Sequence, residues 1–223
     1  IRPKKLIDAS KKFFNYDANY LKRNIKSFYH SNCPACNSKN KELLFKKNSF
    51  NYYNCKYCET IYISPRASEK LLNEFYKNSK LYKYWNDYIF PASDKIRKEK
   101  IFIPRAQQII KIVKQYKVKK NAIMDIGAGY GTFCEAMSEL NYFKNVFALE
   151  PNISGAKKCI EKKIKTYNLT LDKLDLKILN KIDVFTSFEV IEHTSNPKKF
   201  LKKIFNNLKK NSLLVFTCPN GQG

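Results

Sequence analysis

Ala122-Ile-Met-Asp-Ile-Gly-Ala-Gly-Tyr-Gly-Thr-Phe133 decides how the rest of the chain is read. Ile123, Met124 and Ile126 form a short apolar run with Asp125 near its end, and Gly127, Gly129 and Gly131 follow at every second position. An apolar run of that length reads as a buried strand, and glycine at that density lets the backbone turn tightly and lets a ligand approach it. Phe133, Ala136, Met137 and Leu140 then recur at helical spacing, so the loop opens a helix with one face on a sheet. Strand, glycine loop and helix in this order predict a nucleotide-type site at the carboxyl end of the first strand of a doubly wound α/β sheet.

Spacing narrows the ligand. The dinucleotide fingerprint is G-x-G-x-x-G, whose last glycine permits close helix-to-strand packing. Here Thr132 takes that place, which disfavours a pyrophosphate cofactor. Taken alone, the glycine turn fits an ordinary strand-to-helix connection equally well. The pattern D-x-G-x-G-x-G, with Glu150 closing the next apolar run Val146-Phe-Ala-Leu149, resembles the class I S-adenosylmethionine-dependent methyltransferases. The resemblance implies that Asp125, Gly127, Ala128, Gly129 and Gly131 surround the methionine part of S-adenosylmethionine. It also implies that Glu150, followed by Pro151, holds the ribose hydroxyls, and two carboxylate oxygens do match a vicinal diol as acceptors. Ile182-Asp-Val-Phe-Thr-Ser-Phe-Glu-Val-Ile-Glu-His193 and Leu213-Leu-Val-Phe-Thr-Cys-Pro-Asn220 resemble the fourth and fifth strand motifs of the same family, in the same order. By that resemblance Phe188 and Glu189 belong to the cofactor site.

Upstream, four of the seven cysteines form a frame: Cys33-Pro-Ala-Cys36 and, after eighteen intervening residues, Cys55-Lys-Tyr-Cys58. Leu43-Leu-Phe45 and Phe50-Asn-Tyr-Tyr53 can pair as a hairpin that brings the two knuckles together. Four thiolates at this spacing match a tetrahedral zinc site; surface cysteine pairs and a redox dithiol are the alternatives. Four protein ligands leave no open coordination position, so the expected Zn2+ is structural. With no secretory signal, disulfides are disfavoured and cytoplasmic residence is expected. The sequence begins at Ile1 rather than Met, which points to a trimmed chain.

The 43 Lys and Arg against 19 Asp and Glu give a formal charge of +24, which invites a nucleic-acid reading. The lysines are spread in pairs such as Lys119-Lys120, Lys157-Lys158 and Lys209-Lys210, and Lys, Asn, Ile, Phe and Tyr are abundant together, as in a chain from an AT-rich genome. Solvated helix faces are therefore favoured over a nucleic-acid track, and anionic small substrates would feel the same field. No apolar run is long enough to span a bilayer.

Glu189, Glu192 and His193 lie just past the fourth strand, where ligands bind in open α/β sheets. The pattern E-V-x-E-H resembles small-molecule O- and C-methyltransferases rather than enzymes that methylate base nitrogens, which carry N-P-P-Y here. Transfer from a sulfonium is an in-line displacement, so the protein contributes positioning and a base. His193, whose unperturbed pKa is about 6.5, is the candidate base; Glu192 next to it in sequence, and Tyr76 as a hydroxyl facing the cofactor cleft, are the other catalytic candidates. A helix-start histidine with a satisfied ring, and an aromatic seam formed by Tyr76, Tyr82, Tyr84, Trp85 and Tyr88, are the plainer readings.

The knuckle, the following I-Y-x-S-P segment and a tyrosine-containing helix ahead of the core resemble bacterial nucleotide-sugar C-methyltransferases. The expected organisation is a basic helical segment over 1–30, a four-cysteine zinc-binding module over 31–66, a helical linker over 67–118 and a Rossmann-like S-adenosylmethionine-binding domain over 119–223. Five strand candidates are present where that family has seven, so the sheet is expected to stop on an uncovered fifth strand with reduced turnover. The resemblance implies a small, anionic acceptor such as a nucleotide-linked sugar. An RNA methyltransferase and a non-catalytic cofactor-binding partner subunit are the competing readings.

Overall fold

A computed structural model describes residues 2–221. Helix α1 (Lys4–Arg23) leads through a short 3-10 turn to strand β1 (Phe28–Tyr29). Strands β2 (Lys41–Lys47), β3 (Phe50–Cys55) and β4 (Ile61–Ile63) then form an antiparallel three-stranded sheet, and β5 (Arg66–Ala67) pairs back onto β1. Asn48 and Ser49 take the left-handed backbone that a two-residue hairpin between β2 and β3 requires. The hairpin foreseen from the cysteine frame is therefore joined by a third strand, β4, too short to show in periodicity.

Helices α2 (Glu69–Asn78) and α3 (Lys80–Tyr84), a π-helical turn over Trp85–Ile89, α4 (Asp94–Arg97), a second π-helical turn over Lys98–Phe102 and α5 (Ile103–Gln115) follow. Ser68 caps α2 by accepting from the Leu71 N–H at 3.3 Å, and Ser79 caps α3 by accepting from the Tyr82 N–H at 3.0 Å. Asp17, buried on α1, reinforces the second cap: its carboxylate accepts from the Ser79 hydroxyl (2.5 Å) and from the Lys80 and Leu81 N–H groups (3.1 Å each). Phe13 stacks on Tyr84 and Tyr20 on Phe75, so α1 is bound along the outside of α2 and α3.

The core domain alternates β6 (Ala122–Ile126), α6 (Thr132–Glu139), β7 (Asn145–Leu149), α7 (Ile153–Glu161), β8 (Lys165–Tyr167), α8 (Leu176–Leu179), β9 (Val184–Phe188), α9 (Pro197–Phe205) and β10 (Leu213–Thr217). All five strands are parallel, in the order β10-β9-β6-β7-β8. Successive side chains of a strand point to opposite faces. Ile123 accordingly packs with Ala106, Ile109, Val113, Phe133 and Met137 from α5 and α6, while Met124 and Ile126 pack with Leu179, Phe185 and Ile204 on the other face. Every residue of β6 is buried, as the middle strand of a sheet covered on both sides must be.

Asp183 ties the lower rim of the sheet together. Its carboxylate accepts from the N–H groups of Asn121 (2.9 Å) and Ala122 (3.1 Å) and from Lys209 Nζ (2.8 Å). Burial opposes its ionisation, but these donors hold its pKa below the ordinary carboxylate value. Strand order reverses between β6 and β9, and the carboxyl ends of those strands form the crevice described next.

Candidate functional site

Gly127, Gly129 and Gly131 all adopt positive φ, +77°, +56° and +77°. At Gly127 a Cβ would lie 2.5 Å from Val190 Cγ2, so the loop passes too close to the β9 exit for any side chain. At Gly129 a Cβ would meet nothing within 4 Å, and the residue faces a cavity of about 280 Å3. The loop is held from below by the Gly127 N–H, which donates to the Leu149 carbonyl at 2.8 Å, and from the side by Glu150. Glu150 Oε2 accepts from the Gly129 N–H at 2.6 Å and Oε1 from the Asn152 N–H at 2.8 Å. Burial raises the Glu150 pKa while those two N–H groups oppose the rise.

Gly127, Gly129, Glu150, Pro151 and Glu189 line this cavity. Asp125, Ala128, Gly131 and Phe188, also expected at the cofactor site, do not line it. Asp125 accepts from Thr186 Oγ1 at 2.8 Å, and complete burial pushes its pKa up to about 7. Phe188 packs edge-on against Phe133 under the Arg105 guanidinium, which lies 4.5 Å from its ring centre. Glu189 takes φ +57° and accepts from Thr217 Oγ1 at 2.8 Å, so its side chain is turned toward β10.

The helices ahead of the sheet close the cavity. Leu72, Asn73, Tyr76, Tyr82, Asn86 and Phe90 form its far wall. Asn152 fastens that wall to the sheet: its Nδ2 donates to the Tyr76 carbonyl at 2.9 Å, and its Oδ1 accepts from Asn86 Nδ2 at 3.3 Å. Leu169 and Leu171 supply an apolar edge, with Asp172 beside them. Asn86, Asn152 and the 169–172 segment were not singled out from sequence. Asn152 had a legible signal, since Asn before an apolar helical face is a cap; the other positions follow no motif.

His193, Glu192 and Tyr76 come together at the mouth. Tyr76 Oη and His193 Nδ1 are 3.0 Å apart, and Glu192 Oε1 lies 3.8 Å from Nε2 on the other side of the ring. The surrounding protein lowers the His193 pKa and raises those of Tyr76 and Glu192, in each case chiefly through desolvation. The ring is therefore mostly uncharged at neutral pH, with Tyr76 Oη within hydrogen-bonding distance of Nδ1. Glu192 does not line the cofactor-side cavity, whereas Tyr76 and His193 line both it and a second cavity beyond.

In the first module the Sγ atoms of Cys33, Cys36, Cys55 and Cys58 all lie within 4.8 Å of one another. Cys33–Cys58 and Cys36–Cys55 are each 3.6 Å apart. A tetrahedron with Zn–S bonds of about 2.3 Å has edges of about 3.8 Å. Size and donor chemistry both fit a zinc ion.

The Methyltransferase domain family model matches residues 77–222. The chain belongs to that family. It is 32% identical over 104 residues to a ubiquinone biosynthesis O-methyltransferase of Bradyrhizobium diazoefficiens, covering 44% of this chain and 40% of that one. Among solved structures it resembles an S-adenosylmethionine-dependent methyltransferase from Clostridium acetobutylicum (18% identity, TM-score 0.50, 59% of this chain and 56% of that one). It also resembles CalS10, an amino pentose methyltransferase from Micromonospora echinaspora involved in calicheamicin biosynthesis and solved with S-adenosylmethionine bound (15% identity, TM-score 0.50, 59% and 57%). The chain thus spans about half the length of the relatives it matches.

Proposed function

We propose that this chain binds S-adenosylmethionine in the 280 Å3 cavity and transfers its methyl group to a small, anionic acceptor such as a nucleotide-linked sugar. The observation that carries the reading is a buried Glu150 carboxylate beside the open face of Gly129, with the Tyr76–His193 pair across the same cavity. When bound, S-adenosylmethionine supplies an electrophilic methyl group on a sulfonium. Of the residues lining the cavity, Glu150 would hold the ribose hydroxyls, Leu169 and Leu171 the flat base, and Asp172 its amine. Glu150 and Glu189 give the cavity wall negative charge that suits a cationic ligand.

The acceptor hydroxyl gives its proton to Tyr76 Oη as the Tyr76 proton passes to His193 Nδ1. This leaves the acceptor oxygen free of its proton and able to take the methyl group that the cofactor would supply. Glu192 steadies the imidazolium that results, and a positioned base of this kind contributes about 10²- to 10⁴-fold. The named activity of the Bradyrhizobium diazoefficiens relative, an O-methyltransferase, favours an oxygen acceptor. We assign the four cysteines to one structural zinc ion, with the ligand set closed to catalysis.

Calorimetry with S-adenosylhomocysteine tests the cofactor assignment. Gly129→Val fills the open face and should weaken binding by tenfold or more, and Glu150→Ala should do the same. Unchanged affinity in both variants, or preference for NAD, contradicts it.

A further inference from the structure

A second cavity, about 850 Å3, lies between the four-cysteine module and the β9 exit loop. Leu72, Tyr76, His193 and Thr194 line both cavities, so the two adjoin there and a ligand held in the second would bring its reactive atom to the same Tyr76–His193 pair that faces the methyl donor. Its opposite wall is aromatic, built from Phe28 on β1, Phe50 and Tyr52 on β3 and Phe75 on α2. Phe28 and Phe50 stack with centroids 5.9 Å apart and planes within 6°, and Tyr52 and Phe75 extend the surface. An aromatic wall of this kind suits a flat ring.

Arg66 lines the same cavity. One of its amino groups donates to the Thr194 carbonyl at 2.9 Å, and among the described residues it makes no ion pair. The rest of its guanidinium is available to a bidentate anion. Glu59 and Glu192 also line the cavity, so one cation stands against two carboxylates and the acidic group of a ligand is placed at Arg66. A volume near the upper end of the usual range for small-molecule sites admits a ring with a sizeable substituent.

We propose that this cavity is the acceptor site, and that it selects a flat-ringed molecule bearing one acidic group, the ring on the Phe28–Phe50–Tyr52 wall and the acid on Arg66. The proposal rests on the methyltransferase reading for the identity of the shared wall. It gives the four-cysteine module a function beyond folding: with Phe28 just ahead of it, the module supplies the stacking surface and, in Arg66, the cation that read the acceptor.

The test uses the full chain, zinc-loaded and saturated with S-adenosylhomocysteine, titrated with uridine monophosphate, 3,4-dihydroxybenzoate and ribose 5-phosphate. At least one of the two ring-bearing acids should bind fivefold or more tighter than ribose 5-phosphate, and which of them does so separates a nucleotide from an aromatic acid. Arg66→Gln should abolish that advantage, and Phe50→Leu should reduce it, with S-adenosylhomocysteine affinity within twofold of the parent in both. The proposal is overturned if neither acid exceeds ribose 5-phosphate, if Arg66→Gln leaves the tighter ligand unaffected, or if that ligand displaces S-adenosylhomocysteine. In each of these cases S-adenosylhomocysteine binding by the chain alone persists, so failure here is distinct from failure of the methyltransferase reading.

Discussion

His193 illustrates how a residue's surroundings set its chemistry. Desolvation lowers its pKa and Glu189 partly restores it, so the folded chain binds fewer protons on this ring than the unfolded chain does. Stability therefore rises with pH through the window just below the unfolded value of about 6.5. Only two histidines are present, which makes the ring resonances easy to separate. Proton NMR of the parent and of His30→Gln should show His193 titrating below about 6.5; a midpoint at or above that value would contradict the neutral-base assignment. The sequence placed His193 beside Glu192 by adjacency alone. Its contact with Tyr76 spans 117 positions and carries no sequence signal, because the two meet only once α2 is folded over the crevice.

At the level of elements, the glycine loop was legible because backbone sterics leave few residue types able to occupy it. Both constraints at Gly127 can be separated by mutation. Gly127→Ala meets an unfavourable left-handed backbone, worth about 1–2 kcal/mol, and an overlap with Val190 worth about 1–3 kcal/mol more. Val190→Ala should recover the second part only, so urea denaturation of the double variant should show positive coupling; strict additivity would mean that the contact with Val190 does not limit the loop. The π-helical turns at Trp85–Ile89 and Lys98–Phe102 were illegible, since an extra residue per turn shifts the apolar face without changing composition. Pro104 reads from sequence as a break or a start; in the fold it sits in the first turn of α5, directly after the π-helical turn over Lys98–Phe102.

Over the whole molecule, the parallel sheet and its five strands were readable from apolar runs, whereas the arrangement of the modules around it was not. The seam between them is polar and aromatic: Asp17 on the α3 cap, Arg66 on the Thr194 carbonyl, Asn152 on the Tyr76 carbonyl. None of these residues belongs to a periodic pattern. The high charge is partly structural, for Lys209, Lys162 and Lys98 each hold a carboxylate of the sheet domain or its flanking helices. No helix among the described residues is long and apolar enough to cross a membrane. Elemental analysis should find one zinc per chain. Cys36→Ser should lose it and with it the order of β2–β4, read as loss of amide protection in hydrogen exchange; a metal-free parent that keeps that protection would contradict a structural zinc site.

A crystal structure of the full chain with S-adenosylhomocysteine tests the central assignment most directly. The ribose hydroxyls should lie within hydrogen-bonding distance of Glu150, with the thioether sulfur on the side of the cavity walled by Tyr76 and His193. A ligand seated elsewhere, or a ribose with no contact to Glu150, would contradict it.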